Sequence, residues 1–143
     1  MKSLKIAAAL ILSAFLFAGT SYARSFSFEG TLSGEQENPP VVTSAKGQIE
    51  ASYNTISKVL KWRVSYDGLS GAPTMAHFHG PASKNQNADV IIQIKQDALQ
   101  SPMKGSEKLT KKQEKQLLSG EWYFNIHTEK NPAGEIRTQL IAK

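Results

Sequence analysis

Two of the three histidines in the chain stand one residue apart in Ala76-His77-Phe78-His79-Gly80-Pro81-Ala82, and the third is His127. Imidazoles at i and i+2 of an extended strand project to one side, with Phe78 on the other. Such a pair can share a metal ion. A third imidazole from another strand would give a three-nitrogen set that suits copper or zinc and leaves a position for water or substrate. Met75 falls on the histidine side and would add a soft sulfur that favours reduced copper. The structural reading is equally physical: histidines at a strand end can bond turn carbonyls or pair with a carboxylate to fix a loop. Both stand open at this level.

Other chemistries drop out. There is no cysteine, which removes thiol catalysis, haem attachment and cysteine-based zinc sites. Ser33, Ser70 and Ser119 lie beside glycines, but none sits in a nucleophile-elbow pattern. No phosphate loop, dinucleotide fingerprint or calcium loop is present. The net charge of +5 is mild, and no Lys/Arg cluster is interleaved with aromatics, so nucleic acid is not an expected partner. The locally basic run from Glu107 to Gln116 is interrupted by Glu114 and reads as a solvated helix face. Glu35 and Glu37 lie two apart in Glu-Gln-Glu-Asn-Pro-Pro, read as a loop that closes one end of the fold.

The elements that must position these residues announce themselves by period-two alternation. Phe26 and Phe28 share a side, as do Ile49, Ala51 and Tyr53, then Leu60, Trp62, Val64 and Tyr66. Val90 to Lys95 is a short apolar strand. Trp122, Phe124 and Ile126 face one way against Tyr123, Asn125 and His127, and Ile136 and Leu140 point inward on the last strand. Asn-Pro-Pro, Asp-Gly, Gly-Pro and Asn-Pro-Ala-Gly punctuate these runs. Thr110 with Gln113 is a capping-box signature, predicting a short helix over about 110–119 with Gly120 at its end. The expected fold is all-β, an antiparallel Greek-key-like β-sandwich or flattened barrel with that one helix. Setting Ile126 opposite Ile136 makes both faces of the final hairpin coherent, and brings Asn125 to Arg137 and His127 to Glu135. Glu135 is then an expected acceptor for an imidazole N–H, or a fourth ligand, with Asn125 and Arg137 as auxiliary residues.

Residues 1–23 have the layout of a signal peptide: Lys2 and Lys5, an apolar run from Ile6 to Ala18, then Ser21 and Ala23 as a small-x-small site. The run is shorter than the roughly 20 residues of a membrane-spanning helix. Cleavage after Ala23 would leave one domain over 24–143, secreted or periplasmic.

Four segments together carry a family resemblance: Gly30 to Tyr53 with its Glu37-Asn38-Pro39-Pro40, Met75 to Ala82, Lys108 to Thr128, and Asn131 to Leu140. In order and spacing they resemble the chordin-type (CHRD) domain from about Phe26 to Ile141. The resemblance implies an all-β fold. Animal members form part of an extracellular antagonist of bone morphogenetic proteins, alongside cysteine-rich modules this chain lacks. Stand-alone exported bacterial members have no settled role. More distantly, the His-x-His pair, a later histidine and Arg137 resemble copper/zinc superoxide dismutase sandwiches, although the bridging histidine, the other zinc histidines and the disulfide are missing. Three functions therefore stand as expectations. The first is a binding module holding copper or zinc through His77, His79 and His127. The second is a metal-free, adhesion-type domain for an envelope or extracellular protein. The third, a weak dismutase-like copper enzyme, is the least favoured.

Overall fold

The computed structural model describes residues 24–143, so the segment read as a signal peptide lies outside the described residues. Strict alternation builds an antiparallel meander from β1 (Ser25–Ser33), β2 (Lys46–Asn54) and β3 (Val59–Asp67). Ile49, Ala51 and Tyr53 of β2 and Leu60, Trp62 and Val64 of β3 are buried, while Glu50, Ser52, Lys61 and Arg63 face solvent. Glu50 stands opposite Arg63 on that outer face, a favourable cross-strand pair. The β2–β3 turn is closed by Asn54, whose Oδ1 accepts from the backbone N–H of Ile56 and Ser57, an Asx-type device.

The chain continues through β4 (Pro73–His79), β5 (Val90–Gln93), β6 (Met103–Lys108), α1 (Lys111–Leu118), β7 (Trp122–Thr128) and β8 (Ile136–Leu140). The strands form one antiparallel sheet in the order β5-β4-β7-β8-β1-β2-β3-β6. It curls on itself: Trp62 of β3 meets Phe78 of β4 edge-on at 5.0 Å, although four strands separate β3 from β4 in that order. Phe78 also packs on Phe124 at 4.8 Å. These aromatics fill the interior of a nearly closed barrel whose free edges are β5 and β6. The all-β expectation holds, with one short α-helix among the described residues. No helix among the described residues is long and apolar enough to cross a membrane.

Strand β6 was not legible. Only Met103 of its six residues is buried, so no alternation marks it, and its register comes from pairing with β3. Gly105 lies directly on the Trp62 indole, where a Cβ would approach Cε2 to 2.7 Å. The helix does follow its signals. The Thr110 hydroxyl accepts from the Gln113 N–H, the Gln113 side chain accepts from the Thr110 N–H, and Leu117 is buried. Gly120 supplies the left-handed residue (φ +72°) just beyond the end.

Strands β7 and β8 pair in the expected register: Trp122 with Leu140, Phe124 with Thr138, Asn125 with Arg137, Ile126 with Ile136. Their outer face differs from the simple half-buried picture. Every residue of β7 is buried, because loop segments 37–43, 69–72, 80–89 and 129–135 fold over that face. The polar residues of the hairpin therefore sit in a second, hydrogen-bonded interior.

Candidate metal centre

Strand β4 pairs with β7, which sets Met75 opposite His127, His77 opposite Asn125 and His79 opposite Tyr123. Phe78, alternating inward, fixes the pair outward on the covered face. All three histidines are buried. His77 Nδ1 lies 3.1 Å from His127 Nε2, and one nitrogen of each imidazole falls within 4.8 Å of the others. The sequence alone had left open whether His127 reaches the pair, and the fold joins all three.

Backbone carbonyls orient two of the rings. His79 Nδ1 lies 2.9 Å from the Ala88 carbonyl and His127 Nδ1 lies 2.9 Å from the Pro132 carbonyl. A carbonyl only accepts, so each Nδ1 carries the proton and each neutral ring turns an unprotonated Nε2 toward the cluster. Both Nε2 atoms lie 3.0 Å from Asn125 Oδ1. The rings are neutral at pH 7: burial lowers the pKa of all three. For His77, burial and then the His127 and His79 rings bring it down to about 4. For His79 and His127, burial outweighs the bonds to Ala88 and Pro132.

A layered stack supports His79. Its ring lies parallel to Tyr123 at 4.7 Å, and the Arg137 guanidinium sits 3.4 Å from the centre of the Tyr123 ring on β7. The Ala88 N–H donates to the Tyr123 hydroxyl at 3.2 Å, which helps aim the Ala88 carbonyl at His79. Arg137 donates to Asn87 Oδ1 at 3.0 Å and to the Gln86 carbonyl at 2.7 Å. The guanidinium thus anchors the 80–89 loop that roofs the centre.

Glu135 serves a different purpose from the one expected of it. Its fully buried carboxylate accepts from the Ser70 hydroxyl (2.6 Å), the Thr128 hydroxyl (2.7 Å), the Thr43 hydroxyl (2.8 Å) and the Ser70 N–H (3.0 Å). The Nδ1–H groups of His79 and His127 go to Ala88 and Pro132 instead. Glu135 and Arg137, two apart in the Gly-Glu-Ile-Arg motif, form no ion pair. Met75, opposite His127 and on the histidine side of β4, is exposed.

Sequence reasoning passed over Glu37. It is 6% exposed, and its Oε1 has no hydrogen-bond partner. Burial raises its pKa to about 7, only partly offset by Arg137, the Asn125 amide and the Asn38 backbone. Tyr123 could have been found, since alternation places it beside Asn125 on the same face. The carbonyls of Ala88 and Pro132 leave no signature in residue type.

The donors fit a single small cation. Bonds of about 2.0–2.1 Å to nitrogen put two ligands of one ion some 3–4 Å apart. The His77–His127 separation meets this, and the widest spacing needs side-chain rotation on the order of 1 Å. The set is three imidazoles and an amide oxygen, appropriate to zinc or copper.

The chain matches the family model for the CHRD domain over residues 28–140. It belongs to the CHRD domain family. Every residue of the centre, from Glu37 to Arg137, falls within the matched span, so the CHRD domain carries the centre whole. No curated protein and no solved structure matches the chain.

Proposed function

We propose that this CHRD domain is an exported metal-binding module that holds a copper or zinc ion through His77 Nδ1, His79 Nε2 and His127 Nε2. One observation carries the reading: the Nδ1 protons of His79 and His127 are committed to backbone carbonyls, and the freed Nε2 lone pairs converge on an oxygen lone pair of Asn125. No proton lies between His79 Nε2 and that oxygen. Opposed lone pairs in a buried site are costly, and a cation turns the opposition into coordination. A structural cluster would interleave donors with acceptors. Here only the His77 Nδ1–H can donate, to His127, and a metal replaces that proton once His77 shifts to its other tautomer. Export also fits a cysteine-free metal site, since oxidising surroundings leave imidazoles intact.

Titration of the metal-stripped protein with Cu(I), Cu(II) and Zn(II), alongside His77→Ala/His79→Ala, tests the reading. The protein binds one equivalent of at least one of these ions, and the double variant loses that affinity by a factor of about 100 or more. Equal affinity in the two proteins overturns it and favours the metal-free adhesion-type domain. Copper-loaded protein that outpaces free copper in superoxide dismutation would add redox catalysis to binding.

A further inference from the structure

Asn125 holds the key orientation in the centre, because an amide presents an oxygen on one side and two N–H donors on the other. With Oδ1 toward His79 and His127, it offers a cation a fourth donor. Rotated by half a turn, its Nδ2 would donate to both Nε2 lone pairs and satisfy the site without any metal. Something must favour the first state over the second.

We propose that Glu37 is the positioning residue of the metal centre, holding Asn125 Nδ2 on its own side so that Oδ1 faces the two imidazoles. The proposal rests on the metal-binding reading above. Glu37 and Asn125 Nδ2 converge on Gly134. A Cβ there would come within 2.7 Å of Nδ2 and closer still to Glu37 Oε1. Glycine at 134, with φ +129°, is what lets the carboxylate and the amide both approach the same point. Glu37 itself is fixed from behind. Its N–H closes the 3₁₀ turn at Gly34–Gln36 by donating to the Gly34 carbonyl, and the next carbonyl, Asn38, accepts from Asn87 Nδ2 at 2.8 Å. The same Asn87 receives Arg137, so the loop carrying Glu37 and the loop roofing the histidines are tied together. In either protonation state, a carboxyl group keeps an oxygen able to accept from Nδ2. Oε1 is the one carboxylate oxygen among the described residues left buried without a hydrogen-bond partner, and it lies on the Asn125 side.

The test compares the full chain with Glu37→Leu and Glu37→Gln, using Zn(II) and Cu(II) alone as probes. Leucine removes the acceptor, so Asn125 is free to turn and Zn(II) affinity falls by about 10–100-fold. Glutamine keeps an acceptor and restores most of that loss, and the Cu(II) spectrum of Glu37→Leu shifts away from that of the starting protein. Identical affinity and spectra in all three overturn the proposal. So does an equal loss in both variants, which would mark a merely structural role. A second measurement needs no variant and no metal. In the metal-free protein, nuclear Overhauser contacts from the Asn125 side-chain N–H protons should go to Gly134 Hα and not to the His79 and His127 rings. Contacts to the rings overturn the proposal even where metal binds. Failure of the starting protein to bind any ion would sink the metal reading separately, with the amide orientation still decided by these contacts.

Discussion

Zn(II) affinity should survive acidification that would empty an ordinary three-histidine site. Three imidazoles of pKa about 6.5 would together lose roughly 10⁴-fold in affinity between about pH 7.5 and about pH 5, because protons compete at each ring. Here burial depresses all three, and His77 titrates only near about 4. The His77 lone pair therefore stays free well below neutrality, which alone spares a factor of about 30, and the loss over that range should be no more than about 10³-fold. Competition titrations across the range measure this directly, and a full 10⁴-fold loss would show that the rings are hydrated and ordinary. The same depression has a folding consequence with a definite sign. Between the folded and unfolded pKa values, only the unfolded chain binds protons. Stability from the neutral rings is therefore fully present above about pH 6.5, and is lost as pH falls through the lowered values.

The second large effect concerns stability alone. Replacing Glu135 with alanine should destabilise the protein by about 3 kcal/mol or more, lowering Tm by roughly 10 °C, as read by thermal unfolding. The carboxylate gathers donors from three separate segments, through Thr43, Ser70 and Thr128, and its loss strands them in a buried space. Burial pushes the Glu135 pKa up, but the Ser70, Thr128 and Thr43 bonds outweigh it and hold the value at about 2. Its contribution is thus present above about pH 4.5 and lost as pH falls through 2. Metal affinity of the folded variant should stay within a few-fold of the starting value, because no imidazole touches Glu135. A large loss of affinity with unchanged stability would return Glu135 to the site.

Glu135 and Glu37 together show where sequence reading succeeds and where it stops. Alternation of apolar residues fixes strands and faces, so the meander, the β7–β8 register and the outward direction of His77, His79 and His127 were all readable. The helix was readable because Thr110 and Gln113 act locally. Strand β6 was not, since its residues are mostly polar and its place comes from pairing with Val59–Val64, about 40–50 residues earlier in the chain, with Gly105 opposite Trp62. The covering of the β7 face was equally hidden. Hydrogen bonds from loops, several to backbone carbonyls, leave no periodicity. Glu135 therefore looked like the histidines' natural partner by register, and Glu37 looked like part of an end loop. Three-dimensional closure exchanged their roles: the first holds loops, and the second lies beside the amide that faces the imidazoles.

The central claim is that His79 and His127 present bare Nε2 atoms to a shared centre. Long-range ¹H–¹⁵N correlation spectra of the histidine rings in the metal-free protein at pH 7 measure this most directly. Both rings should be Nδ1–H tautomers, and both Nε2 resonances should change when one equivalent of Zn(II) is added. Nε2–H tautomers, with ring nitrogens indifferent to Zn(II) and to copper, would contradict it.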